Sequence, residues 1–279
     1  MKGSEYISRA ENTWCPGCGN FVIQHTVKDV LADLALSPEN VVIVSGIGCH
    51  AKIADYMQTN SFYTIHGRGI PVATGIHLGN PELTVICSAG DGDAYAEGLD
   101  HLIFAAKRNV DITTIIHDNR VYGLTTGQYT PTSPPGFTGR STPEGTHEDP
   151  FNPLDLMLAS GATFIARAYS RDKKGMAEVL KRAIRHKGFS FVEVLQVCAS
   201  FYDAHACYDE HVYTPEGHDP YDRGSAEELI REWNYSGEGP IALGVLYEKD
   251  ARTFEERIFD GKSGMIDRTR LIREALQKR

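Results

Sequence analysis

What most constrains the fold of this chain is its alternation of short apolar, β-branched runs with segments of helical period. Residues 41–45, 83–88, 111–117, 163–168, 189–195 and 241–247 read as strands. Helices are expected at 21–36, at 71–78, after the turn Gly90-Asp91-Gly92, at 153–160, 172–187, 225–234 and from about 265. Strand, helix and strand follow one another from 83 to 117, a βαβ unit and therefore right-handed. The expected fold is α/β, a doubly wound, mostly parallel sheet with helices on both faces. No repeat and no linker interrupts it, so residues 1–279 read as a single domain. That domain carries a polar N-terminal segment at 1–20 and two long loops, 126–150 and 199–224. Loops of that length are usually lids or binding segments.

Composition narrows the function classes. A net charge of −9 leaves no broad basic face for nucleic acid. The basic stretch Lys173-Lys174 to Lys187 reads as a solvated helix face, with docking of an acidic partner as the lesser reading. No apolar run reaches the roughly 20 residues of a membrane span, and Met1–Glu11 lacks the layout of a signal peptide, so no membrane role and a cytoplasmic location are expected.

Chemistry concentrates where strands end. Gly90-Asp91-Gly92 follows one strand and opens a helix, so glycine lets backbone approach a phosphate while helix N–H groups face it. Asp91 is placed to hold a cation, Asn119 can add a neutral oxygen from the next strand's exit, and the carbonyl of Val121 a third. Alone, Gly-Asp-Gly is no more than a tight turn with a capping Asp. Twenty-six residues lie between Gly92 and Asn119, one helix and one strand, and that spacing brings both oxygens to one crevice.

Six cysteines in a reducing compartment point to metal or catalysis before disulfides. Cys15 and Cys18 form a Cys-x-x-Cys inside Trp14-Cys-Pro-Gly-Cys-Gly19; with two distant cysteines the pair can hold Zn²⁺ or an iron–sulfur cluster, and the thiols alone leave both open. Cys87, inside a strand, reads as a small core residue.

The pair Gly90-Asp-Gly92 and Asn119 resembles the signature of thiamine-diphosphate enzymes, with Asp118 standing where that family usually has a first Asn. Together with Trp14-Cys-Pro-Gly-Cys-Gly19, Gly46-Ile-Gly-Cys-His50, His66-Gly-Arg-Gly69 and Gln196-Val-Cys198, in this order, it resembles the β subunit of two-subunit 2-oxoacid:ferredoxin oxidoreductases over about residues 12–250. The resemblance implies the following. Asp91, Asn119 and the Val121 carbonyl bind Mg²⁺. Ile47, Gly48, Cys49, His50, His66, Gly92, Asp93, Gly123 and Leu124 lie at thiamine diphosphate. Cys15, Cys18, Cys49 and Cys198 carry a 4Fe–4S cluster, with Cys207 in reserve for the fourth position.

The implied activity is coenzyme A-dependent oxidative decarboxylation of a 2-oxoacid, 2-oxoglutarate or pyruvate, with electrons passed to ferredoxin. The implied partner is an α subunit, bearer of the aminopyrimidine-binding domain, in an αβ or (αβ)₂ assembly, without which this chain should be inactive. Lys52 resembles the position that meets a substrate's distal carboxylate; otherwise it is a solvated lysine. His66, taken by itself, is a turn histidine bonded to backbone. The rival readings are a non-redox thiamine-diphosphate decarboxylase subunit with structural zinc, and an electron-carrying scaffold that does not need Asp91 and Asn119.

Overall fold

Strand order decides where the chemistry can be. The computed structural model describes residues 2–237, 239–260, 273–274 and 276–277. Its main sheet contains β1 (Val41–Ser45), β2 (Asn60–Tyr63), β3 (Thr84–Gly90), β4 (Thr113–Asp118), β5 (Phe164–Tyr169), β6 (Ser190–Leu195) and β7 (Gly244–Glu248). They lie in the order β7-β5-β6-β4-β3-β1-β2. Every pairing is parallel except β7 on β5. From β1 the chain leaves toward β2, and from β3 it leaves the other way, toward β4. The carboxyl ends of β1 and β3 therefore flank a switch point, the place where open α/β sheets leave a crevice.

Both faces are covered, as the near-continuous apolar runs require. On one face α2 (Gly69–Gly79), α3 (Leu99–Arg108) and α4 (Pro153–Ser160) pack on Val42, Val44, Cys87, Ile116 and Phe191. On the other, α1 (Asn20–Asp33) and α5 (Lys173–Arg185) cover Ile43, Ile86, Ile115 and Val192. Each such side chain, fully buried, contributes roughly 1.5–3 kcal/mol. Local chemistry sets the helix ends. Asn152 accepts from the N–H groups of Leu154 and Asp155, Pro153 takes the first turn, and Gly161 closes α4 at φ +87°. The basic face of α5 is tied within the chain: Lys173 pairs with Asp29 and Lys181 with Asp33, each at 2.8 Å, joining α5 to α1.

The structure departs from the sequence reading in several places, and one expected element lies outside the described residues. β2 is an edge strand whose four residues are all exposed, so neither alternation nor an apolar run marks it. The helix after Gly90 is not continuous: residues Gly92–Glu97 form a π-helical turn, and α3 starts after Gly98. A Cβ on Gly98 would stand 2.8 Å from the Gly67 carbonyl, so the break lets the His66-Gly67 turn pack against this segment. The loop 199–224 is not all irregular, since it holds a helix, His205–His211, and a short strand, Val212–Tyr213. The strand expected at 241–247 splits: Ile241–Ala242 pairs with Val212–Tyr213, and β7 begins after Leu243 with Gly244 at φ +109°. The helix expected from about 265 lies, apart from 273–274 and 276–277, outside the described residues. Among the described residues no helix is long and apolar enough to cross a membrane.

Candidate active site

Three loops at carboxyl ends of strands enclose one cleft: 46–50 after β1, 91–93 after β3 and 119–125 after β4. Every residue expected at thiamine diphosphate or Mg²⁺ lines it, namely Ile47 to His50, His66, Asp91 to Asp93, Asn119, Val121, Gly123 and Leu124.

Asp93 ties the loop 46–50 to the His66-Gly67 turn. Its Oδ1 accepts from the N–H of Gly67 at 2.7 Å and of Ile47 at 3.3 Å. His66 Nδ1 lies 3.0 Å from the same oxygen and His50 Nε2 lies 3.5 Å from Oδ2. Burial by itself raises a carboxyl's pKa, yet the two imidazoles and the Gly67 N–H hold Asp93 well below the usual carboxylate range. The Asp93 contact raises His66 in return, against the opposing effect of burial. A Cβ on Gly46 would fall 1.8 Å from Asp93 Oδ2, so that loop needs glycine. Behind His50 the buried ring of His117 joins Ser88 Oγ (2.9 Å) and Asn20 Oδ1 (2.7 Å), and burial keeps it well below an ordinary histidine pKa.

The oxygens expected to hold Mg²⁺ are pre-oriented. Asn119 Oδ1 accepts from Val121 N–H at 3.0 Å and keeps a lone pair free. Thr132 Oγ1 lies 3.1 Å from Asp91 Oδ2 and 2.9 Å from Asp118 Oδ1. One hydroxyl proton can serve only one of those carboxylates. Burial pushes Asp91 up to about 6, against the hydrogen bonds it accepts from threonines. Burial also pushes Asp118 well above its usual range, reinforced by the charges of Asp91 and Glu193, and its Oδ2 is buried without a partner. Two buried carboxyls with an unmet acceptor and spare lone pairs fit a divalent cation, which would relieve both.

The thiols expected to carry the cluster meet elsewhere. Cys15, Cys18, Cys49 and Cys198 line a second cavity of about 230 Å³, together with Trp14, Lys52 and Phe201. Cys207, on the helix His205–His211, does not line it. Burial pushes the Cys18 thiol up to about 11, and raises Cys49 against the opposing charge of Lys52. The Trp14 indole N–H donates to the Cys49 carbonyl at 2.7 Å, pinning the Cys-x-x-Cys segment over the loop after β1. Among the described residues no group of three or more His, Cys, Asp and Glu side chains is placed to hold a single ion. The thiols surround a space, and the Mg²⁺ oxygens include an amide and a carbonyl.

Cleft and cavity share one wall, made of Cys49, Asn119, Gly123, Leu124 and Gln196. A Cβ on Gly123 would stand 3.5 Å from the Cys198 sulfur, 3.6 Å from that of Cys49 and 3.9 Å from Asn119 Nδ2. Lys52 is on the cysteine side of this wall and does not line the cleft; its Nζ donates to Thr13 Oγ1 at 2.9 Å. Sequence reasoning missed Thr132, hidden in a loop, and the roles of His117 and Gln196. Only the position of Gln196 within Gln196-Val-Cys198 hinted at one.

This fold and cleft define a thiamine-diphosphate-binding domain, and residues 46–194 match the family described as thiamine pyrophosphate enzyme, C-terminal TPP binding domain. Residues 198–262 match the family of the C-terminal part of the pyruvate ferredoxin oxidoreductase beta subunit. The chain belongs to the β subunits of 2-oxoacid:ferredoxin oxidoreductases. It is 38% identical over 271 residues to the 2-oxoacid:ferredoxin oxidoreductase subunit beta of Saccharolobus solfataricus, covering 92% of this chain and 88% of that one. It is 46% identical over 203 residues to the 2-oxoglutarate oxidoreductase subunit KorB of Mycobacterium tuberculosis, covering 73% of this chain and 54% of the relative, about half its length. Among solved structures it resembles the 2-oxoglutarate:ferredoxin oxidoreductase from Magnetococcus marinus with 2-oxoglutarate, coenzyme A and succinyl-CoA bound. That likeness has a TM-score of 0.89 and 37% identity, and covers 99% of this chain and 96% of that one.

Proposed function

We propose that this chain is the cofactor- and cluster-bearing half of a cytoplasmic enzyme that oxidatively decarboxylates a 2-oxoacid, 2-oxoglutarate or pyruvate, to its acyl-coenzyme A. Electrons leave through a 4Fe–4S cluster to ferredoxin, and the site is made whole by an α subunit in an αβ or (αβ)₂ assembly. The observation that carries this reading is the shared wall: the cleft that gathers Asp91, Gly92 and Asn119 backs directly onto a cavity lined by four thiols.

When bound, thiamine diphosphate supplies the carbanion chemistry that lets CO₂ leave, and the cluster accepts electrons singly. The chain's own residues position these groups. Asp91, Asn119 and the Val121 carbonyl hold Mg²⁺, and the cleft face of Gly92 and Asp93 receives the diphosphate. Gly92 admits no side chain, since a Cβ there would fall 2.2 Å from the Tyr122 ring. His66 lines the cleft with Nδ1 3.0 Å from Asp93, which leaves its other ring nitrogen uncommitted and able to exchange a proton with a bound substrate. Cys15, Cys18, Cys49 and Cys198 would ligate the cluster, and of the residues near it Cys49 and Gly123 line both the cavity and the cleft. Lys52, whose Nζ bonds Thr13 on the cysteine side, would have to exchange that bond to meet a substrate's distal carboxylate, the contact that favours 2-oxoglutarate.

Anaerobic purification with the partner subunit tests this. Iron, acid-labile sulfide and thiamine, with 2-oxoacid- and coenzyme A-dependent reduction of ferredoxin, are the expected result. Zinc in place of iron would turn the reading to a non-redox decarboxylase subunit, and cluster without thiamine to an electron-carrying scaffold.

A further inference from the structure

The polar residue in the shared wall with no role in that account is Gln196. It follows β6 directly and is 1% exposed. Its backbone N–H donates to the Asp118 carbonyl at 2.8 Å, fixing it to the strand that leads to Asn119. Its side-chain Nε2 donates to the Val197 carbonyl at 2.6 Å and lies 3.7 Å from the Cys18 sulfur. Both neighbours are acceptors, so the amide has one orientation: the reverse would set oxygen against oxygen. Its Oε1 is buried without a partner, which the orientation tolerates for the sake of its two N–H contacts. Space for the amide comes from Gly19, the residue after Cys18, where a Cβ would stand 3.0 Å from Gln196 Cγ.

We infer that Gln196 is a positioning residue that donates an N–H to the Cys18 thiolate and thereby sets the potential of the cluster on the four cysteines. This rests on the cluster reading given under Proposed function. A hydrogen bond to a cluster thiolate draws charge from the sulfur, favours the reduced cluster and raises its potential. Gln196 lines the cleft as well as the cysteine cavity, so the donor would lie between a bound cluster and the thiamine site.

The test is an EPR-monitored redox titration of the anaerobic holoenzyme, with Gln196→Met and Gln196→Glu beside the wild type. Met keeps length and bulk and removes the donor; Glu removes it and adds negative charge. The midpoint should move to more negative values in Met and further in Glu. A tenfold change in the oxidised-to-reduced ratio at fixed poise, about 59 mV for one electron, is the size expected for Met. Midpoints unchanged in both variants, with the cluster intact, overturn the inference. So does loss of the cluster from both, which would make Gln196 a support for the loop only. A wild-type holoenzyme without any iron–sulfur signal defeats the cluster reading itself, a separate outcome.

Discussion

Thr132 Oγ1 lies 3.1 Å from Asp91 Oδ2, although 41 residues separate the two in sequence. The same hydroxyl reaches Asp118 at 2.9 Å, so a residue of the long loop after β4 holds together the carboxyls of two neighbouring strand exits. Thr132→Val keeps the shape and removes the bridge. It should cost about 1–3 kcal/mol, the range for leaving a buried acceptor unmet. The Mg²⁺ concentration needed to retain thiamine diphosphate should rise; thermal unfolding and cofactor retention in a Mg²⁺ titration measure the two effects.

The raised carboxyl pKa values give the metal-free protein an unusual pH dependence. A carboxyl holding its proton more tightly folded than unfolded makes stability fall as pH rises between the two pKa values. For Asp91 that window runs from about 3.9 to about 6. Without metal, Tm should decline across it. Mg²⁺, which needs the deprotonated form, should stabilise progressively more on going from pH 5 to pH 7. Asp118→Asn, which restores the amide usual in the family, should flatten the decline. A metal-free Tm that rises through this window in the wild type would contradict the arrangement.

Asp93 gathers His50, His66 and two backbone N–H groups onto one carboxylate. Asp93→Asn leaves donors facing an amide and removes the charge that raises His66. The His66 midpoint, followed by NMR, should fall, and thiamine diphosphate affinity should drop at least tenfold. An unchanged midpoint would mean that the Asp93 contact does not govern His66.

Lys52 is held by Thr13 on the cysteine side of the wall. Lys52→Ile should lower kcat/KM for 2-oxoglutarate about tenfold or more while affecting pyruvate less, as expected when a charge pair with the substrate is lost. Equal losses on the two substrates would place Lys52 with the cysteines and not with the substrate.

Gly123 tests the wall itself. Its added Cβ would meet only ordinary contacts, so Gly123→Ala should fold and keep both groups. Gly123→Leu, which must push into Cys49 or Cys198, should lower iron and thiamine content together. Loss of one without the other would show that cleft and cavity are not joined there.

How much of this was legible in the sequence follows from what each feature depends on. The parallel sheet showed because β1, β4, β5 and β6 are buried throughout, so apolar and β-branched residues dominate runs that His117, Asp118, Arg167 and Glu193 only interrupt. β2 did not, because an edge strand exposed at all four residues obeys no burial pattern. The cleft residues were readable because glycine, Asp91 and Asn119 fall directly at strand exits, where spacing substitutes for geometry. Thr132 was not, since its meaning comes from a loop fold that brings it 41 residues back to Asp91. Gly98 looked like a helix interior, and only the packing of the His66-Gly67 turn explains the break. Spacing was equally silent on Cys198 against Cys207; of the two, Cys198 lines the second cavity beside the other three thiols.

A thiamine-diphosphate cleft that backs onto a cluster should pass electrons through the wall between them. The most direct measurement is low-temperature EPR of the anaerobic holoenzyme, frozen after adding the 2-oxoacid with coenzyme A. A reduced 4Fe–4S signal should appear with the substrate, and fail to appear in Asp91→Ala, which still carries all four cysteines. A cluster that stays oxidised when the substrate is turned over, or iron absent altogether, would rule this electron transfer out.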